Sequence, residues 1–411
     1  MTEIAPQPRI KLSKLRDIGW TLWDPIGLLD PESRPGRWDD EANLSFADEY
    51  DSYLIAAASQ LRRGTPRDEV IAFLVEIETD EGVVGWGECY GPAAALKAVV
   101  DTMLAPRVIG RDPFDVGVTW EDLYNRVKDY GLTGLSVAGI SGIDIALWDI
   151  MGKALGQPVH RLLGTCGRER VTAYASSISW GPLAIAEAQA EEAVRRGFPL
   201  IKVKIGAPVD AAIERMRVLT RLVNGRAKLC ADANWAFDYD DALRLARALL
   251  DLDVHWLEEP IVPEDLDGYR RLRAAVPIRL AAGESEFTAW GARDLIASRA
   301  VGVIQPDVAR SGGITETRRI ATLAHCFHVA YAPHMGFSGA VCAAASLHLA
   351  AAMPNFATFE CMIFPNPLRE ELAITRPGDP SLLEGGALPV PEGPGLGIEI
   401  DRAALARLTV V

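Results

Sequence analysis

Hydrophobic and polar positions change rhythm twice along this chain. Near the start, Ile71-Ala-Phe-Leu-Val-Glu-Ile-Glu alternates or runs apolar, Asp80-Glu-Gly interrupts it and Val83-Val-Gly-Trp resumes, which predicts a β-hairpin. Upstream, from Trp20 through Trp38 to about Glu49, Trp, Pro, Asp and Gly recur without a period, so this stretch reads as a long loop carrying Trp20, Trp23 and Trp38. Between about Ala94 and Leu155 apolar residues return at helical spacing, including Gly142-Ile-Asp-Ile-Ala-Leu-Trp-Asp-Ile-Met, and Gly156-Gln-Pro closes the run. Together these segments predict a small α+β domain.

From Val171 to Glu360 the rhythm is different. Apolar, often β-branched runs at 171–175, 200–205, 228–232, 255–259, 278–282, 301–305, 328–332 and 356–360 alternate with helical stretches such as Ala184–Arg196, Asp210–Val223 and Asp240–Leu250. A strand, a helix and two loops occupy about 25 residues at ordinary lengths, so the stretch accommodates about eight βα units. A (β/α)8-type barrel is the economical reading. The expected division is an α+β capping domain over 1–165, the barrel over 166–362, and a Pro- and Gly-rich segment over 363–411 that returns to the capping domain.

Composition narrows the function. At 411 residues, 49% hydrophobic and 24% charged, the chain is globular and longer than one ordinary domain. A formal charge of −14 opposes binding to nucleic acid or to an anionic membrane. The opening residues lack the basic start and apolar core of a signal peptide, and the apolar run Ala340–Met353 is too short to span a bilayer and contains His348, so a cytoplasmic protein is expected. Six scattered cysteines with no C-x-x-C pair suit reduced, mostly buried thiols rather than a disulfide framework or a zinc site.

Polar residues stand where each barrel strand should end. From Lys204 to Asp232, Glu258, Glu284, Asp307, His334 and Glu360, each step is 23 to 28 residues, the period of the fold, so these side chains converge on one rim. Asp232, Glu258 and Glu284 end three consecutive strands and face a shared point, as an oxygen-liking cation such as Mg2+ requires. Lys202 and Lys204, two apart on one strand, project from the same face. Their mutual repulsion, with burial, should lower one amine's pKa and prepare a base, whereas nearby carboxylates and a metal would pull in competing directions. Asp307 and His334 end adjacent strands, so the carboxylate can hold one imidazole nitrogen while the other faces the cavity. Glu360 can donate a hydrogen bond to a substrate carboxylate if the other acids raise its pKa. Asn234 and Glu259 neighbour the carboxylate trio. Gly85-Trp-Gly-Glu-Cys-Tyr is no dinucleotide fingerprint, because Tyr90 stands where a third glycine belongs and no βαβ unit surrounds it. Ser311-Gly-Gly reads as a loop glycine pair rather than an anion-binding turn.

The residues Val83-Val-Gly-Trp-Gly-Glu, Ser141-Gly-Ile-Asp-Ile-Ala-Leu-Trp-Asp, Lys202-Val-Lys, Asp232-Ala-Asn, Leu257-Glu-Glu-Pro, Gly283-Glu, Gln305-Pro-Asp, Pro333-His and Gly393-Pro-Gly-Leu-Gly jointly resemble the enolase superfamily, and within it the mandelate racemase subgroup. The sixth strand offers Asp307 and then Arg310 rather than the second-face lysine of the muconate-lactonising subgroup. Stretches such as Glu258-Glu-Pro-Ile-Val-Pro-Glu-Asp-Leu are similar to those of acid-sugar dehydratases and of galactarolactone cycloisomerase. The resemblance implies an enolase-like modified TIM barrel with an N-terminal capping domain. It implies Mg2+ on Asp232, Glu258 and Glu284, Lys204 and His334 as acid/base catalysts, and Asp307 orienting His334. It also implies Lys202 at the substrate carboxylate and Glu360 as the electrophilic acid. A homo-oligomer, commonly an octamer, and a substrate-selecting loop at the position of the Trp-rich segment belong to the same resemblance.

A proton α to a carboxylate is very weakly acidic, so its removal needs positive charge or strong hydrogen bonds at both oxygens. The expected activity is Mg2+-dependent α-proton removal from a small-molecule carboxylate, a sugar acid or its lactone, ending in elimination or ring opening. Racemisation or epimerisation of a mandelate-type 2-hydroxy acid is the alternative within the class. A barrel that binds sugar acids without turnover is the alternative outside it.

Overall fold

The computed structural model describes residues 10–21 and 69–409. Three antiparallel strands come first: β1 (Ile10–Thr21), β2 (Glu69–Thr79) and β3 (Val84–Cys89). Pairing runs from Ile10 opposite Thr79 to Thr21 opposite Glu69, and from Phe73 opposite Cys89 to Glu78 opposite Val84. The predicted hairpin turn is closed by Thr79 N donating to the Val83 carbonyl (2.9 Å) and Val83 N donating to Thr79 Oγ1 (3.0 Å). The backbone of Trp20 falls within β1 rather than in a loop. The expected Trp-rich loop, with Trp23 and Trp38, lies outside the described residues.

The sheet packs on the helix Leu135–Leu155, and the contact is close for a specific reason. A Cβ on Gly85 would stand 2.2 Å from the Ala146 carbonyl oxygen, and one on Gly87 would stand 1.7 Å from that of Gly142. Only glycine lets strand and helix backbones approach this far. The helix is long and apolar enough to cross a membrane, yet 83% of its most apolar stretch is buried between the small sheet and the barrel. Apolar residues all round it therefore mark a core helix.

Eight parallel strands form the second layer: β4 (Arg170–Ile178), β5 (Leu200–Lys204), β6 (Lys228–Asp232), β7 (Leu257–Glu258), β8 (Leu280–Ala282), β9 (Val303–Ile304), β10 (Ala330–Tyr331) and β11 (Phe359–Met362). They pair in the order β10-β9-β8-β7-β6-β5-β4-β11. Tyr331 of β10 bridges Phe356, just before β11, which joins the two ends of the sheet. Helices follow each of the first seven strands. Leu183–Arg196 shows why they form: Ala186, Ala190 and Ala193 bury one stripe, and Gly197 in a left-handed conformation ends it. Among the described residues no barrel helix follows β11, so the last of the eight expected βα units is a strand alone. The chain instead adds β12 (Ala387–Pro389) antiparallel to β4 and ends in the helix Arg402–Leu408. Arg402 there pairs with Glu76 of β2 at 2.7 Å.

Polar side chains of the small domain complete the ends of barrel helices. Ser141 Oγ accepts from Gly312 N (2.9 Å) and Asp144 Oδ2 accepts from Thr315 N (2.9 Å), at the start of the helix Gly313–Cys326. Glu88 on β3 accepts from Gly339 N (2.6 Å) and Cys342 N (2.9 Å), at the start of Ala340–Ala352. Helix N-termini carry unsatisfied N–H groups and partial positive charge, which suits these acids. Burial nonetheless dominates, pushing the Glu88 and Asp144 carboxyls up to about 7 against the pull of those N–H bonds.

Another buried pair lies further along the same joint. His348 stacks on His160 with ring centres 5.3 Å apart and Nδ1 atoms 3.1 Å apart, and His348 Nδ1 accepts from His160 N at 3.2 Å. Burial drops the His348 pKa from 6.5 to about 3. Between those values the unfolded chain binds a proton that the folded one refuses, so this residue's contribution to stability is lost as pH falls. In urea unfolding, the parent should lose about 1.4 kcal/mol per pH unit relative to His348→Gln as pH falls from 6 to 4. A gap between the two proteins that stays constant across that range would refute the assignment.

Candidate active site

Parallel strands in a ring deliver their last residues to one rim, and the pleat sends alternate side chains inward. Lys204 lies in register with Asp232 on β6, and Asp232 with Glu258 on β7. Glu284 follows β8, Asp307 and His334 follow β9 and β10 and bridge each other, and Glu360 lies in β11. The eight residues singled out from the sequence are all buried and meet in one cluster.

Lys202 Nζ stands 2.7 Å from Glu258 Oε1, 2.7 Å from Glu360 Oε1 and 3.2 Å from Asp232 Oδ2. Burial works against its charge, but Glu258 and Glu360 overcome it and hold the amine well above the ordinary lysine range. At Lys202 no lowered amine results: of the competing pulls expected there, that of the carboxylates prevails, because they are its nearest neighbours. Lys202 is a fixed cation. Lys204 Nζ donates to Asp232 Oδ2 (2.6 Å) and Asn234 Oδ1 (2.9 Å). Although burial opposes ionisation of Asp232, Lys204 and Lys202 hold it down at about 2.

Glu360 also departs from expectation. Burial raises its pKa, but Lys202 and His334 more than offset that and keep it below the usual carboxylate range. Glu360 Oε1 accepts from Ser176 Oγ (2.6 Å) and Oε2 from Met335 N (2.7 Å), so it is an acceptor here rather than the raised donor predicted. Opposite Lys204, His334 Nδ1 lies 2.8 Å from Asp307 Oδ2 and Nε2 lies 3.5 Å from Glu284 Oε2. Burial disfavours the imidazolium, yet Glu284 and the Asp307 bond push His334 up to about 9.

Asp232, Glu258 and Glu284 each offer an oxygen within 4.8 Å of the other two. Burial, then the charge on Asp232, push Glu258 up to about 7. Glu259 beside it is buried, with Oε2 lacking a hydrogen-bond partner. Three hard oxygen donors, one of them the raised Glu258, and the orphaned Glu259 oxygen beside them fit a divalent cation of the Mg2+ type.

Four further cluster members went unassigned at the sequence level. Trp256 Nε1 (3.0 Å) and Gln305 Nε2 (2.9 Å) both donate to Glu258 Oε2. Trp256 stands two residues before Glu258 and Gln305 two before Asp307, so the period-2 pleat was signal enough for both. Ser176, on Glu360, lies past the apolar core of β4 in a serine pair. Tyr174 places its ring 5.7 Å from Lys202 Nζ and reads in sequence as core.

The chain is similar to known proteins over most of its length. Residues 56–164 match the family described as mandelate racemase / muconate lactonizing enzyme, N-terminal domain, and residues 186–404 match that described as enolase C-terminal domain-like. The chain is 39% identical over 348 residues to D-galactarolactone cycloisomerase of Agrobacterium fabrum, covering 81% of this chain and 89% of that protein. It is 34% identical over 338 residues to arabinonate dehydratase of Saccharolobus solfataricus, covering 81% and 88%. Two solved structures are similar: the 3,6-anhydro-D-galactonate cycloisomerase of Zobellia galactanivorans (34% identity, TM-score 0.78, covering 84% of this chain and 95% of that one), and a racemase of Streptomyces coelicolor A3(2) with bound magnesium (25%, 0.78, covering 97% and 99%).

Calorimetric titration with Mg2+ should show binding and a raised unfolding midpoint, since a ligand of the folded state stabilises by mass action. Asp232→Asn removes a charged oxygen donor and should weaken that binding at least ~10-fold, about 1.4 kcal/mol. Equal heats from parent and variant would remove the cation from this position.

Proposed function

The chain belongs to the mandelate racemase / muconate lactonizing enzyme family, and from that premise we propose that it is a Mg2+-dependent enzyme removing the proton α to the carboxylate of a sugar acid or its lactone, finishing by elimination or ring opening. One observation carries the reading. The three carboxylates form a row with Lys204 against Asp232 at one end and the Asp307–His334 pair against Glu284 at the other. A substrate carboxylate seated on that row presents its α-carbon between two proton-transfer groups.

Bound there, the cation supplies positive charge to the substrate carboxylate as negative charge grows on its oxygens. Lys202, kept cationic by Glu258 and Glu360, supplies a second positive group from the protein. Glu360 holds Lys202 and is itself held by Ser176 and the Met335 N–H, which makes it an orienting carboxylate in this arrangement. One of Lys204 and His334 takes the α-proton on one face. The other protonates the departing oxygen, so that the C–H and C–O bonds break across the same pair of carbons. The relatives named as cycloisomerase and dehydratase favour this outcome over racemisation. The opposed pair also supports return of a proton to the second face, the chemistry of the named racemase.

Proton NMR of mono- and diacid sugars, their lactones and mandelate-like acids in D2O with Mg2+ separates the two. A new α-keto or deoxy-sugar signal is the expected result. Deuterium entering at Cα with no such signal would replace elimination by racemisation, and a silent panel would overturn both. On a turned-over substrate, Lys204→Ala and His334→Asn should each lower kcat/KM by roughly 10²–10⁴-fold while Mg2+ binding persists.

A further inference from the structure

The capping domain reaches the proposed acid/base pair through one aromatic side chain. Tyr90, the residue after β3, meets the His334 imidazole edge-on, with ring centres 6.3 Å apart and planes at 77°. Its backbone N–H donates to the Ala309 carbonyl at 3.0 Å. Ala309 N in turn donates to Asp307 Oδ1 at 2.8 Å, and Asp307 Oδ2 holds His334 Nδ1 at 2.8 Å. A continuous path thus runs from the capping strand to the imidazole.

Two neighbours fix Tyr90 where it is. The Arg310 guanidinium lies over its ring at 4.3 Å, while Arg310 Nη1 donates to the Glu284 carbonyl at 2.7 Å. Opposite, Gly336 has φ +42°, and a Cβ there would stand 2.9 Å from His334 Cε1 and 3.2 Å from Tyr90 Cε2. The missing side chain is what lets the phenol and the imidazole approach each other. The hydrogen bond at Nδ1, with only a 3.5 Å ion-pair contact to Glu284 at Nε2, leaves the imidazole room to tilt. Packing at the Cε1 edge removes the freedom.

We propose that Tyr90 is a positioning residue, through which the docked capping domain sets the tilt of the His334 imidazole. The role rests on the assignment of His334 to proton transfer, and it extends that assignment to a residue outside the barrel. Two readouts keep the failure of one separate from the failure of the other.

With 15N-labelled histidine and Mg2+ present, the His334 ring nitrogens are identified by their loss in His334→Asn. Their shifts report hydrogen bonding far more than ring currents. Tyr90→Phe should leave both nitrogens at the parental positions, whereas Tyr90→Leu should move or broaden Nδ1 as its bond to Asp307 loosens. Parental nitrogen shifts in Tyr90→Leu would overturn the proposal, whatever the activity. On a substrate found by the sugar-acid screen, Tyr90→Leu should lower kcat by about 10–100-fold, since small misplacements of reacting groups are this costly. KM should stay within about threefold, as expected for a group acting on the proton-transfer step, and Tyr90→Phe should restore most of kcat. An equal rise in KM with kcat unchanged would also overturn it. If no sugar acid turns over, the proposed reaction falls and the nitrogen shifts alone decide for Tyr90. Should Tyr90→Leu fail to fold, Gly336→Ala tests the same contact from the other side and should displace the Nδ1 signal with Tyr90 intact.

Discussion

Like charges held close together in a dry place are the constraint around which this molecule is arranged. Asp232, Glu258 and Glu284 present oxygens within 4.8 Å of one another, a spacing at which two full charges repel by about 3–4 kcal/mol at an effective dielectric of 20. Nothing in an ordinary core tolerates that unaided. The barrel answers with Lys202 in contact with three acids and Lys204 at one end of the row, and still leaves Glu258 and Glu259 shifted upward. Glu258 stays raised to about 7 beside Lys202 and Asp232, and the proposed cation and anionic substrate would meet that residual repulsion.

The same constraint separates the two lysines, which their spacing alone leaves equivalent and only the family resemblance told apart. Lys202 is enclosed by Glu258, Glu360 and Asp232 and is held as a charge, whereas Lys204 stands at the end of the row, bonded to Asp232 and to the neutral Asn234. A cation gripped by three acids is suited to stabilising charge. A side chain at the end of the row, beside a neutral amide, is suited to moving a proton.

Much of this could be read along the chain, for physical reasons. A parallel strand buried on both faces must be an apolar run, so all eight barrel strands announced themselves, including β7, β9 and β10, which are two residues long. The rim residues followed because the fold has a fixed period. Other features depend on distances that no periodicity encodes. The helical run after Ala94 breaks into separate helices around Pro113 and Gly131. The charge on Lys202 depends on the acids nearest it and that on Glu360 on the cations nearest it, and no spacing along the chain ranks those neighbours. Tyr90 was visible only as a residue spoiling a false glycine motif; its contact with His334 comes from a capping strand and a barrel loop more than 200 positions apart in sequence.

The helix ends at the domain joint bear on how such proteins can be recombined. Glu88, Ser141 and Asp144 belong to the capping half, but the N–H groups they satisfy belong to barrel helices. Neither half has a complete set of internal partners. A chimaera that took its barrel from one relative and its capping half from another would expose bare helix ends at the seam unless those three side chains travelled with the graft.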